Sequence, residues 1–221
     1  IVLDLNGHSI TGTIIVSDGC TLYGMDSATD GYEGAYGKIT AVNGNYASVI
    51  IVTTAGGMRR YVAIAEETGI SFHRYYAAVT AISLDPSNDA LGYKATIRGD
   101  KKVMDAIEGF GFNMWIKGGK VKTYTKTGSF IDNQVVTLRL KNILAHNGGE
   151  LDISAQAVVK FRHVDDLVVG STQTTTMKAT LQAVNAAWED YSDVQKQAVL
   201  SLCGAYEITK SWELSNILPT T

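Results

Sequence analysis

The 221-residue chain predicts a mainly β protein: an immunoglobulin-like antiparallel β-sandwich, preceded by a short β-helix-like segment and followed by a C-terminal helical hairpin. Three observations carry that prediction. Apolar residues alternate at period two through most of residues 38–169, which is the spacing of half-buried strands. Ahead of them stand very short alternating runs broken by Asn-Gly, Thr-Gly and Asp-Gly pairs. After Gly170 the apolar period lengthens to that of a helix. The corresponding boundaries are 1–33 for the leader, 34–170 for the sandwich and 171–221 for the hairpin packed upon it.

In the leader, "IVLDLNGHSITGTIIV", Ile1, Leu3 and Leu5 alternate with Val2, Asp4 and Asn6 before the first turn. Strand, turn, strand, turn at this spacing matches one rung of a parallel β-helix, and a rung cannot bury its own apolar face without neighbours. One rung is expected, ending near Ala28, with Leu3, Leu5, Ile14, Val16 and Leu22 inward. Further rungs or another domain are then expected ahead of Ile1 in a parent protein. The alternative is an ordinary N-terminal hairpin packed on the sandwich.

The strands of the body can be assigned faces. In "GISFHRYYAAVTAISL" the even positions Ile70, Phe72, Tyr76, Ala78, Ile82 and Leu84 are expected inward, with Ser71, His73, Tyr75 and Ser83 outward. In "EGFGFNMWI", Phe110, Phe112, Met114 and Ile116 share one face, and Asn113 and Trp115 the other. Val136, Leu138 and Leu140 point inward from "QVVTLRLK", as do Leu151, Ile153, Ala155, Ala157, Val159 and Phe161 from "LDISAQAVVKF". Two such faces packed together make a sandwich core.

Helical spacing interrupts this twice. "GDKKVMDAIEG", Gly99 to Gly109, predicts a short helix between strands. Beyond Gly170, Met177, Leu181, Val184 and Trp188 form one stripe, and Val194, Ala198, Leu202 and Tyr206 a second. Ser192 and Gln195 have capping-box spacing and open the second helix.

Composition narrows the function. Hydrophobic residues make up 45% and charged residues 19%, with mean hydropathy near zero, which suits a packed globular core. A net charge of −3 provides no basic field for a polyphosphate, so nucleic acid is not an expected partner. The longest strongly apolar run, "SVIIV", is far shorter than the roughly 20 residues of a membrane-spanning helix. Cys20 and Cys203 lie in no CxxC pair and are expected to be buried thiols, while whether they pair is left open.

No catalytic constellation is legible. His8, His73, His146 and His163 have no metal-ligand spacing, and nucleotide and hydrolase fingerprints are missing from the sequence, so no catalytic residue and no cofactor is assigned. Asp26, Asp30 and Glu33 in "DSATDGYEG" are weak calcium candidates, since hard oxygen ligands on a turn can hold that ion. The aromatic residues are more suggestive. Trp115 beside Asn113, and Tyr75 beside His73, are expected on outward faces, where a flat ring flanked by hydrogen-bonding groups can stack on sugar or anchor a protein.

"EETGISFHRYYAAVTAISL", "FGFNMWI", "WEDYSDVQKQAVLSLCGAYEITKSW" and the leader "LDLNGHSITG" with its later "DSAT" resemble the C-terminal region of large secreted or cell-wall-associated adhesin-like proteins of Gram-positive gut anaerobes. That largely uncharacterised group carries no functional residue over. The resemblance implies an extracellular location and a non-catalytic surface module that binds a glycan or a host or bacterial surface protein, or spaces other domains. The alternative is an accessory domain of a polysaccharide-degrading β-helix enzyme.

Overall fold

The computed structural model describes residues 1–5, 8–25, 38–44, 46–48, 51–52, 59–65, 70–162, 167–208, 212 and 214. The described residues form three β-sheets and three short α-helices, a mainly β architecture with sandwich-like packing. Asp26, Asp30, Glu33 and His163 lie outside the described residues.

The N-terminal strands are β1 (Val2–Asp4), β2 (Ile10–Ile15), β3 (Leu22–Met25), β4 (Lys38–Asn43) and β5 (Tyr46–Ser48). They pair in parallel in two sheets, β1 with β3 and β3 with β5 in one, β2 with β4 in the other. Among the described residues this parallel pairing reaches Ser48, beyond the Ala28 expected for the end of the rung. A lone short strand does not announce its partner, so "KITAVN" passes in the sequence for the start of the sandwich. Leu5, Leu22 and Ile39 are buried in a small core of their own, with Leu3, Ile10, Ile14, Val16 and Val42 packed around it. The chain turns tightly at Gly44, whose φ of +111° and approach to Val16 leave no room for a Cβ.

β6 (Ile51–Val52) and β7 (Arg59–Ala65) lead into β8 (Ile70–Asp85), a strand of 16 residues. The start of β8 pairs antiparallel with β4 at Ser71 and Ile70, and with all of β7. From Tyr75 onward it pairs with β9 (Ala90–Gly99), which pairs with β12 (Gln134–Leu140). One sheet therefore passes from the parallel strands into the sandwich. The facing sheet has β10 (Ile107–Ile116) between β11 (Lys122–Thr127) and β13 (Ile153–Phe161); β14 (Val168–Val169) and β15 (Gln173–Thr175) both pair with β13.

The inner faces of these two sheets enclose the main core. Phe110, Phe112, Ile153 and Phe161 lie in it, with Leu138 and Leu140 packed against it, as their alternation predicted. The side chain of Phe72 lies outside the described residues. Tyr75 meets Phe161 edge to face at 5.1 Å between centroids and so ties one sheet to the other; Phe110 meets Phe130 similarly at 6.4 Å.

One face assignment in β8 is corrected. Tyr75, expected outward, is 2% exposed, and Tyr75, Ala77 and Val79 all belong to the core. The register of β8 on β9 slips between Val79 and Ala81, and beyond it Ile82 and Leu84 pack inward. The extra residue of a bulge reverses the parity of alternation. Thr80, at the slip, makes a 2.9 Å hydroxyl contact with Thr96.

The helices follow their local signals more closely than their stripes. The first, α1 (Lys101–Ala106), is shorter than Gly99–Gly109 because Ile107 already pairs with Phe161 in β10. In α2 (Met177–Ala186) Met177, Leu181 and Val184 are buried as expected. The capping box of α3 (Asp193–Ala205) forms between Ser192 and Gln195. Its buried face is Val199, Leu202 and Cys203, however, while Val194 is 80% exposed and Tyr206 is also exposed. Val199, Leu202 and Cys203 join the main core, while α3 also lies against the 3-10 turn Pro86–Asn88. Cys20 is exposed rather than buried; Cys203 is buried, its thiol pushed up to about 11 by desolvation, and both cysteines are free.

Removing the ring of Phe110 opens a cavity at the fully buried centre of the core, and Phe110→Ala is expected to cost about 3–5 kcal/mol in chemical denaturation. Tyr93 is the informative contrast. Its buried hydroxyl has no hydrogen-bond partner among the described residues, and desolvation holds its pKa well above the usual phenol value. An unsatisfied buried hydroxyl is a standing cost, so Tyr93→Phe is expected to leave the denaturation midpoint unchanged or raise it; a loss above about 1 kcal/mol, the worth of a typical hydrogen bond, would mean that the hydroxyl is satisfied.

Candidate functional site

The two outward pairs expected to meet a ligand, Trp115 with Asn113 and Tyr75 with His73, fall in different surroundings. Tyr75 is core. His73, on β8, is 15% exposed and its Nδ1 lies 2.5 Å from Asp100 Oδ2. Asp100 is the N-cap of α1, where its other carboxylate oxygen accepts the Val103 N–H at 3.0 Å. Partial burial works against the charge on Asp100, but the Val103 N–H, His73 and the Lys102 N–H outweigh it and hold its carboxyl below the usual value. His73 thus steadies a helix start. Asn113 and Trp115 share the outer face of β10 and are both half-buried. Asn113 Oδ1 accepts the Thr123 hydroxyl at 2.7 Å, which fastens β11 to β10.

Trp115 does reach an opening. Two shallow depressions of about 250 and 260 Å³ lie where the two sheets come to their margins. They share Tyr124, which makes them neighbouring parts of one seam between β11 and β12. Met114, Ile153 and Leu140 line the first depression, together with Trp115 and Tyr124, and Lys120 and Lys122 stand on its rim. Phe110, Phe112, Val136 and Leu138 line the second, with Lys126 beside them.

The local sequence explains why the seam is open. β11 is the outermost strand of its sheet and β12 the outermost of the other, and among the described residues neither has a second strand neighbour. Residues directly opposite in a ladder share a face. Phe110, Phe112 and Met114 face Lys126, Tyr124 and Lys122 across the β10–β11 ladder, so these three β11 residues project on the core side of the sheet. Gly111 permits this close pairing, because a Cβ there would overlap the backbone carbonyl of Tyr124. All six residues of β11 are exposed, Tyr124 at 42%.

Charge is distributed unevenly around the seam. Residues 117–131 contain Lys117, Lys120, Lys122 and Lys126 with no Asp or Glu, in a chain whose net charge is −3. Lys117 lies 3.4 Å from Asp152 and Arg139, on β12, lies 3.3 Å from Asp85. Lys120, Lys122, Lys126 and Lys141 have no carboxylate partner among the described residues. Sequence reasoning passed over this site although the acid-free lysine run was visible, because the run marks a site only once β11 is known to be a margin.

A larger cleft of about 670 Å³ lies between the Pro86–Asn88 turn, residues 141–142 and α3. Two of its polar side chains, Asp89 and Asn88, are engaged in building the fold. Asp89, at a left-handed φ of 47°, accepts the N–H groups of Leu144 and Ala145 at 2.9 and 3.0 Å. Asn88 is bonded to Asp85. Among the described residues no group of three His, Cys, Asp or Glu side chains is placed to hold a metal ion, and no helix is long and apolar enough to cross a membrane.

Comparison with protein-family models, with curated proteins and with solved structures finds no match.

The capping role of Asp100 has a pH signature. A carboxyl whose folded pKa is lowered adds stability that is present above its unfolded value, near 3.9, and is lost as pH falls through the folded value. Asp100→Ala is expected to cost about 0.5–2 kcal/mol at neutral pH, as for other N-caps. Denaturation curves of the two proteins should converge below about pH 4, where the wild-type carboxyl becomes protonated. A difference that stays constant down to pH 2 would assign the loss to something other than this charge.

Proposed function

We propose that this chain is a non-catalytic, adhesin-like module of an extracellular surface protein, an immunoglobulin-like sandwich with a β-helical leader and a C-terminal helical hairpin, which binds a protein ligand along the β11–β12 seam. The observation that carries this reading is the seam itself: exposed Tyr124 and half-buried Trp115, Val136, Leu138 and Leu140 between two sheet margins, rimmed by lysines without carboxylate partners among the described residues. Buried and half-buried apolar contacts dominate the lining, and an aromatic anchor at a pocket mouth is the common form of a protein-binding hot spot. Protein is favoured over glycan for that reason, since sugars are held chiefly by stacking combined with dense polar contacts, and of the rings lining the seam Phe110 and Phe112 are buried, which leaves Trp115 and Tyr124.

A second reading, the accessory domain of a polysaccharide-degrading β-helix enzyme, is favoured by one observation. The parallel strands β2 and β4 share a sheet with the sandwich through β8, which suits a module built to continue a β-helix.

The two separate in a binding experiment. Arrayed extracellular proteins and polysaccharides are probed with the purified chain and with a Trp115→Ala/Tyr124→Ala variant. The expected result is a protein ligand whose affinity falls at least tenfold in the variant, which corresponds to about 1.4 kcal/mol. Selective retention on a polysaccharide would favour the accessory-domain reading. Ligands bound equally by both proteins would remove the seam from the function.

A further inference from the structure

We propose that β11 is an acceptor edge: an extended segment of the partner adds to it as a further antiparallel strand whose core-side residues run acidic, apolar, acidic opposite Lys126, Tyr124 and Lys122. This rests on the protein-binding reading of the seam and names the chemistry of what enters it.

The edge is prepared for a strand. Among the described residues β11 is paired on one side only, through an unbroken six-residue ladder from Gly109–Thr127 to Met114–Lys122. The Asn113–Thr123 bond and the close approach at Gly111 hold it in place. Its free side therefore presents a fixed row of backbone donors and acceptors, the template that strand addition uses. Residue alternation then dictates the rest. Thr123, Thr125 and Thr127 face outward, and Lys122, Tyr124 and Lys126 face the seam.

The lysines choose the occupant. Cationic residues at an exposed edge guard against self-association. In an antiparallel pairing of two copies centred on Tyr124, Lys122 of each would stand opposite Lys126 of the other, and like charges directly opposite are destabilising. A second copy of this chain is thus disfavoured by the same residues that fit an acidic strand. Between them Tyr124, 42% exposed over Phe112, offers an apolar contact. Val136 and Leu138 of β12 close the far side of the second depression, so the central residue of the added strand is apolar. Lys120, which lines the first depression, extends the positive rim.

The probe is a capped peptide, Thr-Glu-Thr-Val-Thr-Glu-Thr, titrated into the intact chain by fluorescence anisotropy and followed by amide hydrogen exchange. Binding is expected to weaken at least tenfold when the two Glu are replaced by Lys, and at least tenfold when alternate peptide nitrogens are methylated on the edge that faces β11. Alternate amides of β11 should gain protection. A Lys122→Glu/Lys126→Glu variant, both changes on exposed positions, should reverse the preference and bind the lysine peptide better. Binding indifferent to both peptide charge and N-methylation, or without protection in β11, overturns strand addition. A peptide that fails while a uronate oligosaccharide binds and depends on Tyr124 overturns it too, and replaces protein with glycan as the ligand of the seam. A natural protein ligand that requires Trp115 and Tyr124 but leaves β11 amides unprotected refutes the acceptor edge alone and leaves the seam as the binding site.

Discussion

The structure depends on a single long strand. At about 3.4 Å per residue the 16 residues of β8 span on the order of 50 Å, more than one small core can cover. Its first residues pair with β4 and β7, and its remainder pairs with β9 in the sandwich. Two separate apolar cores, one around Leu5, Leu22 and Ile39 and one around Phe110 and Phe161, are therefore joined by one continuous strand. The bulge at Thr80 belongs to the same constraint. A strand this long twists, and an inserted residue lets each half present its own apolar set to the layer beneath it.

The seam arises from how the sandwich is bounded. Each sheet must end somewhere, and on this side both end together, β11 on one sheet and β12 on the other. Their inner faces keep the apolar residues that alternation requires, so Tyr124, Val136 and Leu138 are left where one layer overhangs the other. The lysines of residues 117–131 offset the hazard of such an edge by electrostatic repulsion between copies. The margin opposite is treated differently: β13 is covered by β14 and β15, and α2 packs near β8. An edge left open and charged on one side, and covered on the other, is an asymmetry with consequences for binding.

Turns and caps hold this arrangement through a few polar groups. Asp89 is the clearest case, a buried carboxylate in left-handed conformation that gathers the N–H groups of the Leu144–His146 turn onto the end of the sandwich. Asp100 does the same for α1 while His73 holds its second oxygen. Both act as structural anchors, and a histidine next to a carboxylate is explained here by a helix that needs capping.

Much was legible in the chain itself wherever the information is local. Period-two alternation placed Phe110, Phe112, Leu138, Ile153 and Phe161 inward, because in a strand each side chain's face is set by its neighbour's. Ser192 and Gln195 specify their capping box within four residues, and "MKATLQAV" carries its buried stripe unaided. Features that depend on partners were not legible. Tyr75 changed faces because a bulge adds a residue that no pattern of apolar letters reveals, and the buried side of α3 was set by the distant core residues it packs with. The parallel pairing reaches Ser48 because "KITAVN" found a partner in β2 and Tyr46–Ser48 found one in β3. Lys122, Tyr124 and Lys126 form a candidate binding edge only because no described strand lies beyond β11, and strand order arises from long-range pairing, which sequence-local chemistry permits without specifying.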